Sequence, residues 1–132
     1  MSSDRVRFGA VLNYTPEAIS TSDWEGLRRI AVECERLGYE SIWLMDHFIY
    51  FDPVTLWTGL TPAVFECYTT LAALAAATSK IRLGGLVTCN SYRHPPLVAK
   101  MAATLDVISH GRLEFAIGAG WKKDEYSMYG YG

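Results

Sequence analysis

The chain lacks several features that narrow a function quickly. It has no apolar run close to the roughly 20 residues that span a bilayer, and its polar start, Met-Ser-Ser-Asp-Arg-Val-Arg, lacks the apolar segment of a secretory signal. Neither sign of charge dominates, with 12 Lys and Arg against 14 Asp and Glu. That balance leaves no electrostatic footprint for nucleic acid or for an anionic membrane surface. The short basic pair Lys122-Lys123 runs straight into Asp124 and Glu125. Cysteine is scarce: Cys34, Cys67 and Cys89 are odd in number and widely spaced, which suits neither a disulfide framework nor a zinc site. Reduced thiols in a cytoplasmic protein are the expectation. No low-complexity stretch or linker divides the sequence.

What is present is apolar and periodic. Half of the 132 residues are hydrophobic, enough for one globular core. Val6 to Leu12 reads as a buried strand, followed by a polar loop with the turn residues Asn13, Thr15 and Pro16. Ser22 and Glu25 have the spacing of a capping box. Leu27, Ile30, Ala31, Cys34 and Leu37 then recur at helical spacing, and Gly38 stands where a left-handed cap is needed. Ser41 to Met45 is a second strand, ending at Asp46-His47. A long aromatic loop follows, through Tyr50, Phe51, Pro53, Trp57 and Pro62.

Glu66 to Thr78 predicts an alanine-rich helix, with Glu66 as a favourable charge at its N-terminus. Ile81 to Thr88 is a third strand, weakened by Gly84 and Gly85 unless a ligand or bend requires them. Pro95-Pro96 suits a helix start; Leu97, Val98, Met101, Ala102, Leu105 and Ile108 mark its face and Gly111 closes it. Leu113 to Gly118 is a fourth strand, and a loop rich in Gly and Tyr follows. This βαβαβαβ order with continuous apolar strands indicates a parallel sheet covered on both faces. Periodicity leaves an open doubly wound sheet and a barrel equally available.

Three stretches, LGYESIWLMDHF, ECYTTLAALAAATSKIRLGGLVT and YRHPPLVAKMAATLDVISHGRLEFAIGAGW, closely resemble the bacterial luciferase-like family. Within it the chain is most similar to the coenzyme F420-dependent oxidoreductase branch. The resemblance implies an α/β fold, the N-terminal half of a (β/α)8 TIM barrel: residues 1–132 would form a partial barrel domain truncated after the fourth strand. It also implies that a second copy, as a homodimer, or a missing C-terminal half would close the barrel. The resemblance also implies a homodimer through barrel helices, and the alanine-rich Leu71–Ala77 face is available either to that contact or to packing within the chain.

Barrel enzymes carry their chemistry at the C-terminal ends of strands. The resemblance places Asp46 and His47, at the end of the second strand, beside an isoalloxazine-type ring. There His47 would move a proton near neutral pH, with Asp46 orienting it or meeting the ring; both are the catalytic candidates. The resemblance also implies a bulge with a non-prolyl cis peptide at Leu86–Val87. Gly85, Leu86, Val87, Thr88 and Asn90 are accordingly candidate cofactor contacts, as are Gly118, Ala119 and Gly120 after the fourth strand. Gly118-Ala119-Gly120 lacks the third glycine of a dinucleotide fingerprint, so a Rossmann reading is set aside.

Some deazaflavin-dependent relatives carry a catalytic glutamate directly after the second of these glycines. Trp121 stands there instead. Glu125, further on, reads as structural, pairing with Lys122 or Arg112; Cys89 reads as a small filler and Arg93 as an anchor for its loop. Asp106, Ser109, Gly111 and Arg112 form a strong family marker with a structural role.

The implied function is hydride transfer between coenzyme F420 and a small organic substrate. The alternatives are an FMN-dependent monooxygenase and a non-catalytic flavin-binding or incomplete piece.

Overall fold

A computed structural model of the chain describes residues 6–12, 23–49 and 64–131. The turn at Asn13–Pro16, Ser22 of the expected capping box and the aromatic loop from Tyr50 to Pro62 lie outside the described residues. The first helix, α1 (Trp24–Leu37), has Asp23 at its N-cap, one residue later than the capping-box spacing indicated. Its other end is as expected. Gly38 adopts φ 81°, and the N–H groups of Gly38 and Tyr39 return to the carbonyls of Glu35 and Cys34.

Strand β1 (Gly9–Val11) pairs parallel with β2 (Ser41–Leu44), β2 with β3 (Arg82–Gly85), and β3 with β5 (Leu113–Glu114). The third and fourth predicted strands are each broken in two. Their later halves, β4 (Thr88–Cys89) and β6 (Ile117–Gly118), form a separate parallel pair. The Leu86–Val87 peptide between β3 and β4 is cis, at the bond the resemblance indicated.

Helices α2 (Cys67–Ala77) and α3 (Pro95–Ile108) complete the crossovers. Ile42 and Leu44 of β2 and Leu83 of β3 share one core cluster with Leu27 and Ala31 of α1, Leu71 and Leu74 of α2, and Val98 and Leu105 of α3. All three crossover helices therefore cover the same face of the sheet. A doubly wound sheet would divide them between two faces; a barrel wall keeps them outside. The architecture is that of a (β/α)8 barrel wall, four parallel strands deep in this chain.

The opposite face shows why the continuous apolar pattern overstated its cover. Val6, Phe8 and Val11 are exposed, so the predicted buried strand Val6–Leu12 shortens to a three-residue edge strand. On this face Trp43 lies across its neighbours. A Cβ on Gly84 would meet the Trp43 ring at 2.4 Å and one on Gly9 would meet Ser41 Oγ at 2.7 Å. Gly84 is thus required by a neighbouring indole. Leu97 and Ile108, expected on the packed face of α3, are exposed; Leu71, Leu74 and Ala75 of the alanine-rich helix are buried within the chain.

The family marker before β5 is structural, as expected. Gly111 adopts φ 79° and its N–H donates to the Asp106 carbonyl. The buried Arg112 guanidinium donates to the carbonyls of Ala75, Thr78, Ile81 and Ser109 and to Thr78 Oγ1. It thereby satisfies the free C-terminal carbonyls of α2, where a cation is also favoured by the helix dipole.

Glu35, near the end of α1, clamps the entry to β3 by accepting from the N–H groups of Ser79, Lys80 and Ile81. Partial burial pushes its pKa up, but those bonds outweigh it and the carboxyl falls from 4.5 to about 2. A depressed carboxyl contributes stability that is complete above its unfolded pKa and is lost as pH falls through its folded one. Glu35→Gln should therefore cost about 1 kcal/mol at pH 7, discounted for solvent screening, and that cost should vanish toward pH 2. Thermal unfolding of both proteins between pH 7 and pH 2 checks this.

Candidate active site

The breaks in the third and fourth strands build the site. After β3 ends, Leu86 N–H still donates to the Leu44 carbonyl, while Thr88 and Asn90 N–H groups donate to Ala116 and Gly118. The segment thus crosses from one partner strand to the next, and Leu86 and Val87 project where strands end. A cavity of about 340 Å³ opens there, within the size range of small-molecule sites. Asp46, His47, Leu86, Val87, Gly118, Ala119 and Gly120 all line it, together with Cys89, Tyr92 and Trp121.

Three expected cofactor contacts stand elsewhere. Thr88 and Asn90 line a second, mainly apolar cavity against α3. Successive strand residues point to opposite faces, so Val87 and Cys89 face the first cavity while Thr88 and Asn90 face the other. Thr88 is buried with its hydroxyl on Tyr68 Oη at 2.8 Å, and Asn90 Oδ1 accepts from Ser91. A Cβ on Gly85 would stand 3.4 Å from Thr88 Oγ1 and 3.5 Å from Cys67 Sγ, and Gly85 is not among the residues that line the cavity.

Gly118 and Gly120 line the cavity but are glycine for a different reason from close ligand approach. A Cβ on Gly118 would meet Val87 Cγ2 at 2.5 Å. One on Gly120, at φ 81°, would meet Tyr126 Oη at 1.8 Å. The chain's own side chains occupy that space.

Asp46 and His47 are adjacent in sequence and separate in chemistry. The Asp46 carboxylate is fully buried; Arg93 Nη1 and Nη2 donate to Oδ2 and Oδ1 at 2.7 Å each, and Cys89 N–H donates to Oδ2 at 2.9 Å. Arg93 also bonds Glu66, which caps α2 through the N–H groups of Tyr68 and Thr69. Burial lowers the Arg93 pKa, but the two carboxylates outweigh it and hold the guanidinium well above its usual range. Asp46 therefore ties β2, β4 and α2 together; the expected Asp46–His47 pairing is not made.

The carboxylate that His47 meets is Glu125, on a short helix α4 (Lys123–Tyr129) where a loop was expected. Glu125 is completely buried. Its Oε1 accepts from the N–H groups of Phe48 and Ile49 at 2.8 and 3.0 Å, and its Oε2 accepts from His47 Nδ1 at 2.9 Å and from the Tyr92 hydroxyl. Burial pushes the Glu125 pKa up, yet these four donors bring it below the usual range. Burial raises that of Tyr92, as do the bond to Glu125 and its charge. Of the two partners expected for Glu125, Lys122 is found, its ammonium pairing with Oε1 at 3.7 Å, whereas Arg112 is committed to α2. Trp121 sets its ring edge-on to His47, with centroids 5.9 Å apart.

The family model for luciferase-like monooxygenases matches residues 6–132. The chain belongs to that family. It is 46% identical over 66 residues to the pyrimidine monooxygenase RutA of Variovorax paradoxus (strain S110), a match covering 49% of this chain and 17% of that protein. Among solved structures, it is similar to the coenzyme F420-dependent tetrahydromethanopterin reductase of Methanopyrus kandleri at 28% identity and TM-score 0.70, over 95% of this chain and 30% of that one. Monooxygenase RslO1 of Streptomyces bottropensis matches at 27% identity and TM-score 0.77, over 96% and 37%. The luciferase-like chain thus spans a minor part of the length of each of these relatives. Its family supports an enzyme acting on a small molecule, and among the described residues no helix is long and apolar enough to cross a membrane.

Proposed function

We propose that the cavity at the strand ends holds the flat ring of coenzyme F420 and that the whole protein is an F420-dependent oxidoreductase. The observation that carries this reading is the convergence of His47, Leu86–Val87 and Gly118–Gly120 on one concave surface. The fit is chemical. Leu86, Val87 and Trp121 are large apolar side chains left 46, 41 and 74% exposed beside the cavity, a surface suited to covering an aromatic face. Backbone at Ala119 and Gly120 and the His47 ring supply polar groups for its edge.

Bound there, F420 would supply hydride exchange with a substrate carbon. The chain's own residues orient the ring against Leu86 and Val87 and handle an accompanying proton at His47 Nε2. Asp46 and Arg93 fix the corner from which His47 projects. In the same reading residues 1–132 belong to one barrel domain whose edge strands β1 and β5 pair with further strands.

A second reading, an FMN-dependent monooxygenase using the same cavity, is supported by the 46% identity to a pyrimidine monooxygenase. Absorbance titration of the full-length protein with F420 and with FMN tests both. Saturable binding of F420, followed by its turnover with a panel of small alcohols, carbonyl compounds and pyrimidines, is the expected result. Binding of FMN alone would move the assignment to the second reading, and binding of neither would end both.

A further inference from the structure

We infer that Glu125 is the positioning residue for His47: it holds the ring as the Nδ1–H tautomer, so that the bare Nε2 faces the cavity as a proton acceptor. The inference deepens the assignment above, since the proton to be accepted is that of a substrate bound in this cavity.

An ionised carboxylate only accepts hydrogen bonds. Among the described residues, Glu125's hydrogen-bond partners are two backbone N–H groups, a phenol and His47 Nδ1, all able to donate, and the Lys122 ammonium stands 3.7 Å from Oε1. The pKa of Glu125 is held below the usual range by these bonds against the effect of burial, so the carboxyl is charged at neutral pH. Nδ1 of His47 must then carry a proton. A neutral imidazole has one N–H, which leaves Nε2 with its lone pair.

The ring is itself held from two sides. Phe48 and Ile49, the next residues along, are bound by the other oxygen of the same carboxylate, and Trp121 packs edge-on. The His47 side chain is 26% exposed and lines the cavity, while its Nδ1 is taken by the fully buried Glu125; Nε2 is the ring nitrogen left for the cavity.

The proton step balances simply. An O–H or N–H of the bound substrate gives its proton to Nε2 and keeps the bonding pair; the imidazole becomes imidazolium, and Glu125 retains its own negative charge beside it. No electron is transferred in this step. Asp46 has no part in it, because its oxygens are committed to Arg93 and Cys89.

The test is the tautomer itself. Long-range ¹H–¹⁵N correlation spectra of the full-length protein, recorded with a neutral imidazole, should show Nδ1 protonated and Nε2 bare, with the signal assigned by its loss in His47→Ala. Glu125→Gln keeps the shape but offers an amide donor, so Nδ1 should become the acceptor and the proton should move to Nε2. For the best substrate of the panel, kcat should fall roughly 10- to 100-fold, the size of effect when a histidine's orienting partner is lost, with cofactor affinity unchanged. A wild-type ring protonated at Nε2 would overturn the inference even if the variant failed to fold. So would Glu125→Gln with an unchanged tautomer. A correct tautomer in a protein that binds neither F420 nor FMN would leave the dyad standing and remove the cofactor assignment.

Discussion

Arg93→Ala should destabilise the protein by about 3–5 kcal/mol, the usual result of stranding a buried charge. The Asp46 side chain is 0% exposed and that of Arg93 7%, so loss of the guanidinium leaves a buried carboxylate with the Cys89 N–H and no countercharge in contact. Glu66 loses the same partner, and the aromatic faces of Phe48 and Tyr68 lose the cation 5.6 and 5.1 Å above them. Against a total stability of about 5–15 kcal/mol, such a loss brings a domain close to unfolding. Lysine should rescue little, because one ammonium cannot serve both Asp46 oxygens and Glu66 in the planar geometry of the fork. The double change Arg93→Met with Asp46→Asn should recover part of the loss by removing both charges together. Urea unfolding of the four proteins checks this, and a double variant no more stable than Arg93→Ala would contradict the pairing.

His47→Ala should lower turnover roughly 10²- to 10⁴-fold, the contribution typical of a positioned general acid or base. Binding of the cofactor should change far less, because the apolar wall of Leu86, Val87 and Trp121 remains. The separation between the two effects is what distinguishes proton handling from packing, since a packing defect would weaken both. Steady-state kcat and a cofactor titration on the same preparation decide it. Wild-type kcat in the variant would remove His47 from the chemistry.

Features written within one stretch of chain were legible in advance. Gly38 and Gly111 stand at helix ends that need a left-handed residue, Pro95-Pro96 opens α3, and the apolar runs lie where β2, β3 and β5 form. Which face each residue takes was legible only in part. Period-two alternation through Val87, Thr88, Cys89 and Asn90 carries the signal that Thr88 and Asn90 turn away from the cavity, and a continuous apolar reading masks it. Gly84 is glycine because of Trp43, and Gly118 because of Val87, contacts that only the sheet register creates.

Glu125 reads in the sequence as structural with Lys122 as a partner, a pairing the structure makes, but its contact with His47 was not legible there. It lies 78 positions from His47, and its neighbours Lys122, Lys123 and Asp124 suggest a solvated charge cluster. Trp121, not an acid, directly follows Gly120, and the acid stands one helical turn further on. A hint was available: Tyr126 and Tyr129 after Glu125 give this segment an aromatic face, which a solvated loop does not need. The adjacency of Asp46 and His47 was misleading in the same way, since neighbours at a strand end point apart.

The location of the ring tests the account most directly, by crystallography of the full-length protein with F420 and, separately, with FMN. The proposed cofactor site puts the tricyclic ring against Leu86 and Val87, with His47 at its edge and Trp121 beside it. A ring bound in the apolar cavity between β4 and α3, or anywhere else on the barrel, would contradict it.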